Sequence, residues 1–162
     1  MSLPPGEKAP HDFDFIIGDW RVHHRRLKDR LVGCTEWETF EGLSCTQEIL
    51  GGLGNVEDNQ IFLPGGNYRA AAIRSFNLQT QSWSIWWLDG RLPGVLDTPV
   101  VGSFTDGIGL FFAEDTLNGL PINIRFTWRN FPGGNPRWEQ AFSADGGITW
   151  EANWEMEFVH LT

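Results

Sequence analysis

The chain has 162 residues with 12 basic and 21 acidic side chains, a formal charge of −9, and carries 9 Trp, 12 Phe and 1 Tyr. That length is one domain's worth of chain around one core. The negative balance argues against sequence-independent nucleic-acid binding, which needs clustered Lys and Arg to displace counterions from phosphates; acidic substrates are disfavoured as electrostatically steered partners, and no apolar run of about 18 residues is available to span a membrane as a helix.

The 19 Gly and 9 Pro among so many aromatics suit short strands and tight turns. Residues 1–10 read as a loose leader without the apolar segment of a secretory signal, so 11–162 is taken as a single domain and a cytoplasmic location is expected. Pro10 to Ile17 predicts one short helix or 3₁₀ turn, with Asp12 as a candidate cap and Phe13, Phe15, Ile16 and Ile17 as its apolar side. The first strand begins near Trp20. There Trp20, Val22, His24 and Arg26 share one face and Arg21, His23 and Arg25 the other, so an inward Trp20 puts His24 inward as well. An inward imidazole is either a hydrogen-bonded core histidine or a group that orients a ligand, acts as acid or base, or joins a metal site.

Cys34 and Cys45 have no Cys-x-x-Cys or Cys/His ligand spacing and read as two small, reduced, buried side chains. With Gly42 as the turn between their strands, Cys34 falls opposite about residue 50 and Cys45 opposite about residue 39, too far apart in register for a bridge. Further turn signals recur every 8 to 14 residues or so, at Gly51-Gly52 with Gly54-Asn55, Pro64 to Asn67, Asn77, Asp89-Gly90, Asp106-Gly107, Asn118-Gly119, Pro132 to Asn135 and Asp145 to Gly147, the rhythm of an antiparallel meander. Gly51-Gly52-Leu53-Gly54 lacks the Lys and following helix of a phosphate loop and is read as a turn.

Between these turns, Arg74 shares a face with Ala70, Ala72 and Phe76. Its charge is met either by an internal carboxylate or water network or by a ligand's polar group. Trp83 and Trp87 share a face with Trp86 on the other, which suggests a partner surface and a homodimer. Ile122, Ile124, Phe126 and Trp128 alternate with Asn123, Arg125, Thr127 and Arg129, and Trp150, Ala152, Trp154, Met156 and Phe158 alternate with Glu151, Asn153, Glu155 and Glu157. In the last hairpin a three-residue loop sets Phe142 against Trp150, Gln140 against Ala152 and Trp138 against Trp154, whereas a two-residue loop opposes Phe142 to Glu151, so the longer loop is predicted. Gln140 then lies on the buried face. Ser143-Ala144-Asp145-Gly146-Gly147-Ile148-Thr149-Trp150 also matches an Asp-box of sialidases and other propellers, but a single copy reads as hairpin chemistry: Asp145 turns the backbone and Trp150 anchors the turn.

About ten antiparallel strands in one chain must hide their edges, and even meander spacing favours an all-β, up-and-down closed barrel with room inside for one small ligand. Phe13-Asp14-Phe15-Ile16-Ile17-Gly18-Asp19-Trp20 resembles the amino-terminal signature of calycin-type barrels, a short apolar helix followed by Gly-x-Trp. Together with Trp138 to Ser143 and Asp145 to Trp150, the chain resembles a bacterial family of uncharacterised lipocalin-like domains. That resemblance implies a barrel whose Gly-x-Trp tryptophan closes one end and a small-molecule cavity, and it brings no catalytic residues.

The reading that follows is a binding module. A small apolar or aromatic molecule is walled by Trp37, Trp87, Trp128 and Trp154, with His24, Arg74 and Gln140 fixing its polar end. Two alternatives stand beside it: a small-molecule enzyme with His24 as acid or base and Arg74 as anion holder, and a purely structural or interaction domain. No motif indicates a cofactor. A metal site is not expected, because His160 is placed near Trp20 and several residues from His24.

Overall fold

The computed structural model describes residues 10–161. A single turn of 3₁₀ helix, Asp14–Ile16, precedes ten strands: β1 (Gly18–Leu27), β2 (Trp37–Ile49), β3 (Gly54–Phe62), β4 (Tyr68–Asn77), β5 (Ser82–Asp89), β6 (Val100–Thr105), β7 (Ile108–Leu117), β8 (Leu120–Arg129), β9 (Arg137–Ser143) and β10 (Glu151–His160). Each strand pairs antiparallel with its sequence neighbour, and β1 pairs with β10, so the sheet closes into an up-and-down barrel. The expected all-β architecture, strand number and N-terminal 3₁₀ turn are all present. A second 3₁₀ turn, Leu50–Gly52, takes the predicted turn between β2 and β3. No helix among the described residues is long and apolar enough to cross a membrane.

The closed end of the barrel is an aromatic plug. Trp20 of the Gly-x-Trp motif is buried and donates its indole N–H to the Ile16 carbonyl at 2.8 Å, which pins the 3₁₀ turn across the opening. Phe13 projects from that turn between Trp83 and Phe104, edge-on to both at 4.9 Å. Asp12 is not the helix cap its position suggested: Phe13 is the N-cap residue, and the Asp12 carboxylate accepts the Trp83 indole N–H at 2.9 Å instead. A buried indole N–H needs a partner, and Asp12 supplies it to Trp83.

Three register expectations are corrected. Gly42 is no turn but lies mid-strand in β2, opposite Val22 on β1 and Ile61 on β3. Cys34 consequently sits in the loop before β2, and Cys45 faces Asp19 and Asp58; both thiols are free and half-buried. Glycine is required at 42 for close approach, because a Cβ there would stand 2.6 Å from the Gln60 carbonyl oxygen and 2.9 Å from Nε2 of His24. In the last hairpin Phe142 lies opposite Glu151, Gln140 opposite Trp154 and Trp138 opposite Met156. The reason is a larger loop than periodicity shows. Ser143 Oγ accepts the Gly147 N–H, Asp145 Oδ1 accepts those of Ile148 and Thr149, and Trp150 Nε1 donates to the Gly147 carbonyl. A bulge between Ala152 and Trp154 then returns Trp154, Met156 and Phe158 to the interior, leaving Asn153 fully buried and Trp150 under the Arg125 guanidinium.

Replacing Gly42 by Ala is expected to cost about 1–3 kcal/mol, since both β3 and His24 must shift to admit the methyl group. Gly65→Ala, where nothing lies within 4 Å of the added carbon, should stay within about 0.5 kcal/mol of the parent. Urea unfolding of the two variants checks this, and equal midpoints would remove the close-approach account.

Candidate functional site

Inside the barrel the side chains form three layers. At the closed end lies the aromatic plug. Above it, a polar belt is built where β2, β3 and β4 turn Ser44, Thr46, Asn55, Glu57, Asn59 and Arg74 inward, all of them buried. Arg74 Nη1 donates to Asn55 Oδ1 at 2.7 Å and Nη2 to Glu57 Oε1 at 3.0 Å, while Asn59 Nδ2 donates to Glu57 Oε2 at 3.1 Å. Phe13 and Trp128 cover the guanidinium at 5.0 and 5.1 Å. The void beside this pair is about 20 Å³. That is the size of one water molecule and not of an organic ligand. The charge of Arg74 is therefore met by an internal carboxylate.

The third layer opens at the other end. A cavity of about 260 Å³ is walled by Trp87, Phe126, Trp138, Phe142 and Trp154, with Gln140 on its floor and Tyr68, Asp89 and Asp97 toward the rim. An adjoining lobe of about 140 Å³ runs toward Val100, Asp115 and Ile122 and shares Trp87, Phe126, Gln140 and Phe142 with the first. Trp87 and Trp138 both stand edge-on to Trp154, at 5.9 and 5.5 Å, so three indoles hold one another in place. Gln140 Nε2 donates to the buried Asn153 Oδ1 at 2.8 Å, which fixes the amide against the wall. At the rim Arg91 grips Asp89 through Nε and Nη2 and lies 3.6 Å over the Tyr68 ring. The Arg91 hydrogen bonds hold the Asp89 carboxyl below its ordinary range, whereas burial pushes the Asp97 carboxyl and the Tyr68 phenol above theirs.

His24 points inward as its parity required, but it does not line either lobe. It stacks on Phe40 at 4.7 Å, and its Nδ1 accepts the Trp154 indole N–H at 3.1 Å, so the neutral ring carries its proton on Nε2. Burial, then Arg26 and His23, lower its pKa to about 3. Trp37 lies on the outer parity of β2, half-buried beneath Arg25 at 3.9 Å, and Trp128 belongs to the layer around Arg74 and Phe158. Of the residues expected to meet a ligand, the barrel thus brings Trp87, Gln140 and Trp154 together at the mouth and sets His24, Arg74, Trp128 and Trp37 elsewhere. Trp86 is half-buried on the outer face opposite Ile73.

A larger hollow, about 780 Å³, runs along β1, β2, β9 and β10, and besides outer-face side chains it borders the inward His24, Phe40, Trp138 and Met156. It is a shallow trough lined by His23, Arg25, Glu41, Arg137, Glu155 and Glu157, whose charges pair across strands. Such exposed pairs are a solvated ladder rather than a binding site. Among the described residues no group of three or more His, Cys, Asp or Glu is gathered as a metal would require.

Two predictions follow from the buried groups. Arg74→Met strands the Glu57 carboxylate and should cost about 3–5 kcal/mol in urea unfolding, whereas Arg74→Met with Glu57→Gln should recover a substantial part of that loss. Additive losses would sink the pairing. His24 binds a proton near pH 6.5 when unfolded but only near pH 3 when folded. Protonation therefore pulls toward the unfolded chain: this histidine costs nothing above pH 6.5 and about 1.4 kcal/mol per pH unit as acidity rises from there toward pH 3. A His24→Phe variant should lack that component of the acid slope, read as the difference between the two stability–pH curves.

In comparisons with known proteins, no family model and no curated sequence matches the chain, so a functional reading has to rest on the barrel's own geometry.

Proposed function

We propose that this protein binds a small, largely apolar or aromatic molecule in the mouth of the barrel, as a lipocalin-like, calycin-type domain would. One observation supports it above the rest. The interior is packed shut at one end and left open at the other as a tryptophan-walled cavity, with lobes of about 260 and 140 Å³. Taken together, the two adjoining lobes fall at the lower end of the range of small-molecule sites, roughly 300 Å³ upward. A chain selected only for packing has no reason to leave three indoles around unfilled space, since each void forfeits dispersion contacts.

The binding reading is favoured over acid–base catalysis by His24. A general acid or base works best with a pKa near the operating pH. Here burial lowers it to about 3, and the ring is fastened to Trp154 outside the cavity wall. Trp37, Trp128 and Arg74 support the barrel around the site rather than touching the ligand.

Titrating small aromatic and lipophilic compounds against the intrinsic tryptophan fluorescence tests the proposal. Saturable quenching is expected, and Trp87→Ala, which opens both lobes, should weaken binding roughly tenfold or more. Trp37→Phe should leave the affinity within about twofold, because that ring lies outside the barrel. Flat titrations across the panel, or equal losses in the two variants, would overturn a mouth site.

A further inference from the structure

We propose that the molecule bound at the mouth is an anion, an aromatic or aliphatic carboxylate whose acid group is held by Arg26 and Arg30. This rests on the cavity reading above and adds the charge of the ligand and the side from which it is gripped.

Three arginines line the cavity: Arg26 from the end of β1, Arg30 from the loop that follows it, and Arg91 from the loop after β5. Arg91 is already neutralised by its two-pronged grip on Asp89. The other two are not. Among the described residues no carboxylate oxygen lies within 4.0 Å of either guanidinium. Arg26 Nε is buried with no hydrogen-bond partner, and the guanidinium lies 4.7 Å over the Trp154 ring, in the wall of the cavity itself. Glu38 is the cross-strand neighbour of Arg26 on β2, yet it does not close the pair.

Burial is the main force lowering the pKa of both Arg26 and Arg30, and the charge of Arg26 lowers that of Arg30 further. Two like charges thus share a partly desolvated corner with no carboxylate in contact, Glu38, Asp29 and Asp89 acting on them only from a distance, an arrangement that favours the arrival of something negative. A carboxylate suits it. The planar fork of a guanidinium matches the two oxygens, and the indole beneath holds that fork in position. The opposite wall sets the orientation. Asp97 borders both lobes and Asp115 the inner one, so the second lobe repels an acid group and is left for the apolar body among Val100, Ile122 and Phe142.

The deciding experiment compares 2-naphthoate with 2-naphthamide, which share a ring system and differ in charge, by fluorescence titration against the full chain. Naphthoate is expected to bind at least about tenfold tighter. Arg26→Met should remove most of that preference by weakening naphthoate alone, and Arg30→Met should do so several-fold, with naphthamide unchanged within about twofold in both. Circular dichroism establishes that the variants fold; if Arg26→Met does not, Arg30→Met and Arg26→Gln decide. Equal affinity for the two probes in the parent, or equal weakening of both in the variants, overturns the anion assignment while the cavity reading stands. No saturable binding of either probe removes both.

Discussion

β1 is hydrogen-bonded along both of its edges, to β2 from Gly18 through Leu27 and to β10 from Trp20 through Arg26, and this double pairing turns a meander into a barrel. The constraint is severe because it joins the two ends of the chain. Trp20 must lie against His160, with ring centres 4.5 Å apart, and Arg26 against Trp154, whatever the intervening strands do. Closure removes the open edges that would otherwise invite pairing with other chains. It also fixes which end can be sealed. The segment before Gly18 emerges at the Trp20 end, and there the chain folds back so that Ile16 can accept the indole N–H. The opposite end is bordered by longer loops, 28–36 and 90–99, which rim the opening and supply Arg30, Arg91 and Asp97 to the cavity.

Between plug and mouth, the polar belt explains why the cavity does not run the length of the barrel. Glu57 and Arg74 face each other across β3 and β4 at full burial, with Asn55 and Asn59 taking further hydrogen bonds. A buried ion pair of this kind contributes little net stability compared with apolar residues of equal volume. Its contribution is positional. The pair fills the width of the barrel beside small Ala70 and Ala72, and the residual space is too small for an organic molecule. The floor of the cavity is therefore set by Trp138 and Gln140, and only the mouth stays open.

Alternation made much of this legible in the sequence. The parity of Trp20, Val22 and His24 placed a buried imidazole correctly, and the turn signals from Asn77 to Asn135 all fall at a strand's last residue or between strands. Three things resisted. β3 reads polar on both faces, with Asn55, Glu57 and Asn59 against Asp58 and Gln60, so nothing marked which set turned inward. Gly42 looks like a turn because composition does not distinguish a glycine that bends the chain from one that lets two strands and a histidine come close. The loop between Ser143 and Glu151 is closed by side-chain hydrogen bonds from Asp145 and Ser143, and a bulge follows, so counting by twos failed on both sides of it. Arg26 shares the parity of His24, but its meaning depends on Arg30, Asp89 and Arg91, which only the closed barrel brings beside it.

An acidic exterior and a cationic mouth are compatible because they act over different distances. The charge of −9 is the excess of 21 acidic over 12 basic side chains, and on the outer face only some carboxylates, such as Glu155 and Glu157, are matched by Arg25 and Arg137. At physiological ionic strength such charges are screened beyond about 8 Å. They govern how often an anion approaches, not how firmly it is held once inside. Within the mouth, a guanidinium resting on an indole and lacking a carboxylate partner acts across a few ångströms through partly desolvated surroundings, where each charge–charge contact is far stronger than in water. A weakly repulsive surface around an attractive pocket slows encounter and leaves residence to the pocket. Small hydrophilic anions, with no apolar body to place among Trp87, Phe126 and Phe142, gain only the arginine contacts and are held least.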